Sequence, residues 1–360
     1  MTAGPMLILD LAAFRENVRV LAGLVAPARC MIAVKANAYG HGMLPFARAA
    51  IEGGAGALAV LEVPAALELR EAGIAVPLFA WLHGERTDFA AAIEADVELG
   101  VSSLAELHRI LDAVTGKPAA VHLKIDTGLH RNGASPEEWP ALVSAARDAE
   151  LAGRLRIAGL WSHLADASPE DDAAALAEFR AAVAVAAGLG VEEPFLHVAA
   201  SSAGIREPEA RFDQVRFGIA AYGISPFDDV NGRGLGLRPV MTYRAPVLAV
   251  ADGRATIAAG SADGIPPSVL EASGSGAWVL LDGVRREVVA IDVDTLDVLL
   301  DEAEGHVSPV TVGDIATVFG PGDDGEPTPE EWSSWADTVG DELVARASTR
   351  AERVYLNAAD

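Results

Sequence analysis

Residues Ala33 to Gly42 read AVKANAYGHG. With Met31 and Ile32 before it, the segment begins as an apolar run of strand length, and Lys35 ends that run. An ammonium at the end of a buried strand must stay solvated or paired. Glycines, an asparagine and a tyrosine come next, which is the composition of a turn. The lysine therefore stands where a strand gives way to a loop.

Working outward, short apolar runs alternate with amphipathic, alanine-rich stretches from residue 11 to about 225. The runs lie at 31–35, 57–61, 77–81, 97–101, 120–125, 156–161, 195–198 and 214–217. Helical segments are expected between most of them, at 64–73, 103–114, 138–149 and 170–188. Ser135-Pro136-Glu137-Glu138 and Ser168-Pro169-Glu170 place a cap residue ahead of proline and acids, a helix-start signal. Eight strands in alternation with helices predict an α/β fold, a (β/α)8 TIM-like barrel. From about residue 230 valine-rich runs and Gly/Asp turns take over, with one short helix opened by Thr328-Pro329. This predicts a mostly β C-terminal domain. The expected division is a barrel over 11–228 and a β domain over 229–360, to which residues 1–10 add a strand, Met6 to Leu9.

Bulk composition narrows the function classes. The chain has 360 residues and a formal net charge of −25. Nucleic acid and anionic membrane surfaces both need basic patches, so neither is an expected partner. No uncharged apolar run reaches membrane-spanning length, and the first residues lack a signal-peptide pattern. The single cysteine, Cys30, allows no intramolecular disulfide, which suits a cytoplasmic protein. No HExxH, paired-cysteine spacing or acidic cluster of metal-binding type occurs, so no metal is expected. Only three of the 27 basic residues are lysines, namely Lys35, Lys117 and Lys124. Where arginine is the default cation, a retained lysine suggests chemistry that needs an amine, such as a Schiff base.

Barrel enzymes carry their active sites at the C-terminal ends of the strands. Polar residues gather at five of these ends. Lys35 and Tyr39 come after the first run. Lys124, Asp126 and Arg131 come after the fifth, in LKIDTGLHRNG. His163 comes after the sixth, in LWSHLADAS, and His197 and Ser201 belong to the seventh, in FLHVAASSAG. Arg216 and Gly218 close the eighth, in VRFGIAAYG. One such end would mean little, but five convergent ends are hard to explain by packing. A lysine at a barrel mouth suits a carbonyl or pyridoxal 5′-phosphate (PLP) Schiff base. Ser201 and the backbone of Gly218 and Ile219 lie after the last two strands, where barrels often hold phosphate.

These motifs resemble the alanine racemase family, PLP-dependent enzymes built from a (β/α)8 barrel and a β domain. AVKANAYGHG matches the family's PLP-lysine motif almost letter for letter, and LKIDTGLHRNG, LWSHLADAS and QVRFGIAAYGISP match further blocks. The resemblance implies a PLP-dependent isomerase that interconverts L- and D-alanine. Lys35 would hold the cofactor as a Schiff base and act as a base on one face of the substrate. Tyr39, Ser201, Gly218 and Ile219 would bind its phosphate, and Arg216 would face the pyridine nitrogen. His163 would support the ring, and Arg131 would lie near the cofactor's phenolic oxygen and the substrate carboxylate. Lys124 matches a position that is carbamylated in some members. Members are homodimers whose active sites borrow residues from the partner's β domain.

The β domain departs from the family pattern. The loop that carries the family's second base, a tyrosine, is missing from YRAPVLAVADGRATIAAGSADG. The motif after it has Ser261 in place of tyrosine, a methionine–aspartate pair corresponds to Val293-Asp294, and a phosphate-binding tyrosine corresponds to Thr349. Losing one base is expected to slow racemisation by roughly 10²–10⁴-fold. Two readings stay open: a racemase in which water, Asp263 or Asp294 relays the second proton, or a PLP-dependent non-racemase (one-base exchange, lyase, decarboxylase) or non-catalytic PLP-binding homologue.

Overall fold

The computed structural model describes residues 4–270, 276–300, 309–347 and 350–358. Thr349 lies outside them. The chain divides into two compact units.

The first unit comprises residues 18–35 and 50–218 and contains the barrel. Strand β1 (Met6–Asp10) belongs to the other unit. The barrel strands are β2 (Arg29–Ala33), β3 (Ala57–Val60), β4 (Leu78–Ala80), β5 (Val97–Val101), β6 (Ala119–Lys124), β7 (Leu155–Trp161), β8 (Phe195–His197) and β9 (Gln214–Phe217). All eight expected runs are strands. They pair in parallel in the order β8-β7-β6-β5-β4-β3-β2-β9. Between β8 and β9 the ring closes through Asp213 N–H to Leu196 O, 3.1 Å, and Arg216 N–H to Ala199 O, 3.1 Å. Helices 63–71, 104–112, 139–151 and 169–188 fill the expected intervals. Ser103 and Ser168 cap two of them by accepting from Glu106 N and Asp171 N.

Side chains that alternate along the strands fill the barrel interior. Met31, Ala33, Ala57, Ala59, Phe79 and Trp161 form its apolar cluster. Small residues make room for large ones. Gly159 sits opposite His122 in the β6–β7 register, and a Cβ there would lie 2.2 Å from His122 Nδ1 and 2.7 Å from Phe195 O. The His122 ring thus occupies the volume that a side chain on Gly159 would need.

The second unit comprises residues 1–17, 36–49 and 219–360. Its strands are β10 (Met241–Ala251), β11 (Arg254–Ile257), β12 (Trp278–Leu281), β13 (Val284–Ile291), β14 (Leu296–Leu299), β15 (Ile315–Phe319) and β16 (Glu352–Leu356). Strands β10, β11, β14, β13, β12 and β15 pair in a closed ring, and β1 joins β10 to β16. The expected N-terminal strand is thereby found, antiparallel to β10. Strands β13 and β14 are separated where the chain turns back at Asp292–Thr295, with Asp292 N–H donating to Thr295 O, 2.8 Å.

The units divide the chain differently from the expected 11–228 and 229–360. Residues 11–17, 36–49 and 219–228 go with the β unit. A cluster of rings holds them there: Phe14 on Phe46 at 4.6 Å and on Tyr222 at 5.0 Å, Tyr39 on Tyr222 at 4.9 Å, and His41 on Tyr222 at 4.8 Å. Among the described residues no helix is long and apolar enough to cross a membrane.

We predict that Gly159→Ala lowers stability by about 1–3 kcal/mol, the usual cost of forcing volume into a packed core. Urea denaturation measures it; an unchanged midpoint would contradict the seating of His122 against Gly159.

Candidate active site

Strand β2 ends at Ala33, and Lys35 opens the segment 35–39. That segment is not a right-handed helix. Ala36, Asn37, Ala38 and Tyr39 all have φ between 50° and 54°. A left-handed turn of residues with side chains costs roughly 1–2 kcal/mol per residue. Hydrogen bonds and burial hold it. Gly40 N–H donates to Ala36 O and Gly42 N–H to Asn37 O, both 2.9 Å. Asn37 Oδ1 accepts from Met43 N at 2.8 Å. His41 Nδ1 shares its proton between Ala38 O, 2.9 Å, and Tyr39 O, 2.8 Å. Burial, outweighing these bonds, pushes His41 down to about 4, so the ring is neutral. The lysine of the decisive segment therefore sits at the edge of strained, over-determined backbone, a feature that clusters at functional sites.

Arg216 lies on β9, buried. Its guanidinium approaches four acceptors: His197 Nδ1 at 2.9 Å through Nη1, and Ser162 O at 2.9 Å, Val198 O at 3.0 Å and His163 Nδ1 at 3.1 Å through Nη2. Burial and the charge of Arg131 lower it to about 9, which keeps it a cation at neutral pH. His163 is pushed down to about 2 by burial and by the charges of Arg216, Arg131, Lys124 and Lys35. Four cations from the ends of three strands thus act on one neutral imidazole. Because arginine only donates, His163 presents its Nδ1 lone pair to Arg216 and carries its proton on Nε2.

Lys124 ends β6 and is also buried. Its ammonium donates to Asn132 Oδ1 and stands 4.6 Å from the Trp161 ring centre. Burial, Arg216 and Arg131 lower it to about 7 against the pull of Asp126. A sizeable fraction is therefore a free amine at neutral pH. Arg131 itself is exposed. Ser201 begins the helix 201–206, and its Oγ accepts from Gly218 N at 3.1 Å. The acceptor role leaves the hydroxyl proton for another partner.

The barrel unit thus brings together Lys35, Lys124, Arg131, His163, Ser201, Arg216 and Gly218. Tyr39 and Ile219 belong to the β unit. There Tyr39 is buried, its phenol raised by burial and by Asp341. Sequence reasoning missed four residues. Trp161 stacks parallel to His197 at 5.8 Å, Asn132 accepts from Lys124, and His122 and Glu98 continue the hydrogen bonding below His197. His122 lies two residues before the end of its strand, in phase with Lys124, which strand alternation could have signalled, whereas Glu98, three before the end of its strand, carried no such signal.

In the β unit, the segment where the tyrosine loop is expected to be missing is short. Strands β10 and β11 are joined by Asp252-Gly253 alone, with φ of 51° and 71°, a two-residue hairpin of type I′ sign. Of the two carboxylates considered as relays, Asp263 is fully buried and committed. Arg350 Nε and Nη2 donate to its two oxygens at 2.9 and 2.6 Å, and Gly260 N donates at 3.1 Å. Asp294 is exposed and lies 2.8 Å from Arg350 Nη1.

Comparison with known proteins matches both halves of the chain. The family model for the alanine racemase N-terminal domain matches residues 9–226, and that for the alanine racemase C-terminal domain matches residues 241–355. The alanine racemase of Salinispora tropica is 42% identical over 375 aligned residues, covering 96% of each chain. That of Mycolicibacterium smegmatis is 39% identical, covering 99% of this chain and 96% of the relative. The crystal structure of alanine racemase from D-cycloserine-producing Streptomyces lavendulae superposes with a TM-score of 0.92 at 36% identity, covering 99% of this chain and 98% of that one.

We predict that Ala36→Gly raises stability by about 1 kcal/mol by relieving the left-handed backbone, while Ala36→Val lowers it, since a branched side chain is least tolerated there. Ala36 is exposed, so packing does not confuse the pair, and equal urea midpoints would contradict the strain.

Proposed function

The chain belongs to the alanine racemase family, and we propose that it interconverts L- and D-alanine with PLP bound at the C-terminal end of its barrel. The observation that carries the site is the convergence of Lys35, Lys124, Arg131 and Arg216 on His163, in a chain whose net charge is −25. Such a set fits an anionic cofactor and a substrate carboxylate, and Lys35 supplies the amine the cofactor needs. When bound, PLP withdraws electrons from the substrate Cα and so makes its proton removable.

The residues divide the remaining work. Lys35 anchors the cofactor's carbonyl and exchanges a proton at Cα on its own face. The Ser201 hydroxyl and the backbone at Gly218 would hold the phosphate, and the family resemblance adds Tyr39 and Ile219. Arg216 would face the ring nitrogen, where a cation would oppose its protonation and restrain side reactions. His163, kept neutral, would pack beside the ring. Arg131 draws in the substrate carboxylate. The free-amine fraction of Lys124 near pH 7 would add to carbon dioxide, releasing one N–H proton to solvent, and the resulting carbamate would orient Arg131.

On the opposite face the family's tyrosine is missing and Asp263 is occupied by Arg350. We assign the second proton to water, since Asp294 too is paired with Arg350. By resemblance the protein is a homodimer with shared active sites. Cys30, buried and pushed up to about 12 by burial, needs no oxidising compartment, and we place the enzyme in the cytoplasm.

In D₂O, L-alanine is expected to lose its Cα proton to solvent and yield D-alanine, at a rate lowered by roughly 10²–10⁴-fold relative to a two-base enzyme. Exchange without D-alanine would defeat the racemase reading, and absence of both would defeat enzymatic turnover. Lys35→Ala should abolish the visible absorbance of lysine-bound PLP and both reactions; an unchanged spectrum would refute its role. A ¹³CO₂-derived carbamate signal should appear in the wild type and vanish in Lys124→Arg.

A further inference from the structure

Below the site, a line of hydrogen bonds runs down the barrel interior. Arg216 Nη1 lies 2.9 Å from His197 Nδ1, His197 Nε2 lies 2.9 Å from His122 Nδ1, and His122 Nε2 lies 3.1 Å from Glu98 Oε2. Both histidines are at most 1% exposed. The ends of the line are chemically opposite. Arginine can only donate, and an ionised carboxylate can only accept. His197 must therefore offer a lone pair on Nδ1 and carry its proton on Nε2. His122 must accept that proton on Nδ1 and donate from Nε2 to Glu98. Every bond is satisfied with both rings neutral. No other arrangement of two neutral rings avoids a donor facing a donor.

The carboxylate end is held in its ionised form by its surroundings. Burial alone would raise Glu98, but the hydrogen bond from His122 and the charges of Arg29 and Arg156 outweigh it, and the carboxyl is lowered. Arg156 Nη2 stands 3.6 Å from the other oxygen, Oε1, and Arg70 also feels its charge. Glu98, Arg70, Asp96 and Arg156 line a cavity of about 220 Å³. At the other end, burial and Arg216 push His197 well below its ordinary value, so it does not take a second proton.

We propose that Glu98 is a positioning residue for the reaction: through His122 and His197 it fixes which ring nitrogens carry protons and so keeps a lone pair, rather than an N–H, directed at Arg216. The proposal rests on the reading that Arg216 faces the cofactor ring. Remove the acceptor at Glu98 and the Nε2 proton of His122 loses its partner. If that proton moves to Nδ1, His197 must move its own to Nδ1, where it meets an arginine N–H at 2.9 Å. The guanidinium then shifts by a few tenths of an ångström or more. Misplacement on that scale at a reacting centre lowers the rate steeply.

The test compares Glu98→Gln, which keeps an acceptor oxygen, with Glu98→Leu, which does not. The first readout is ¹⁵N NMR of histidine-labelled apoprotein, with signals assigned through single histidine replacements. Protons on Nε2 of both His122 and His197 are expected in the wild type and in Glu98→Gln, and their loss in Glu98→Leu. The second readout is steady-state turnover of alanine by the PLP-loaded enzyme. Glu98→Leu should lose about 10- to 100-fold in kcat with little change in KM, and Glu98→Gln should recover most of it. A wild-type proton on Nδ1 of either ring overturns the proposal. So does a Leu variant with unchanged tautomers, or one with altered tautomers and unchanged kcat. Should the wild type racemise nothing, the function reading fails by itself, because the apoprotein spectra decide the chain of tautomers without turnover.

Discussion

A guanidinium buried inside a barrel has only hydrogens to offer. Arg216 therefore dictates what surrounds it: two backbone carbonyls, Ser162 O and Val198 O, and two imidazole lone pairs, on His163 and His197. Leaving such a cation without acceptors would be prohibitive. With them, two otherwise ambiguous histidines acquire fixed tautomers, and the requirement passes on to His122 and Glu98. Even the apolar wall takes part, because Trp161 stacks on His197 and faces Lys124 and Arg216. The interior of this barrel is a directional polar column set into an apolar ring, and its direction is set by the one residue that cannot accept.

The same constraint explains why lysine and arginine differ here. Arg216 stays charged under burial because its ordinary value is so high that even a large depression leaves it near 9. Lys124, also lowered by burial and by cationic neighbours, falls to about 7. Two buried basic groups thus take different roles, a permanent donor and an amine of adjustable charge. Asn132 accepts from Lys124 in either state, since both forms retain N–H groups. In a protein with so few lysines, the amine survives where its neutral form has a use.

Much of the barrel was legible because strand ends in this fold obey a simple rule. Lys35, Lys124, His163, Ser201 and Arg216 each stand at or just past an apolar run, and parallel pairing brings such positions to one end. Residues two or three places upstream were not singled out: Glu98 and His122 are single polar residues inside apolar runs, and only the closed barrel shows that they face one another. The left-handed turn at Ala36–Tyr39 was illegible for another reason. Alanine and tyrosine disfavour positive φ, and nothing local reveals that rings from distant segments, Phe14 and Tyr222, hold the turn in place. Strand β16 and the helix at 340–346 were not anticipated. The strand is formed by pairing with β1, at the opposite end of the sequence, a partner that local pattern does not reveal.

The β unit bears on the proposed second proton transfer through the side chains it withholds. A two-residue Asp-Gly turn is among the tightest ways to join antiparallel strands, so the junction of β10 and β11 has no length left in which to carry a side chain outward. Nor do the tyrosines elsewhere supply one. Tyr39, Tyr222 and Tyr243 are buried, and Tyr355 donates to His41 O at 3.1 Å. Burial raises each of these phenols, which makes them poorer sources of a phenolate base. Asp263 is neutralised by a bidentate arginine. The groups that a two-base reaction would recruit are therefore each held by structural work, and the proposed reaction is asymmetric. On that proposal Lys35 would serve one face from the edge of a rigid, strained turn. The other face would depend on solvent, whose proton donation is unoriented and correspondingly slow.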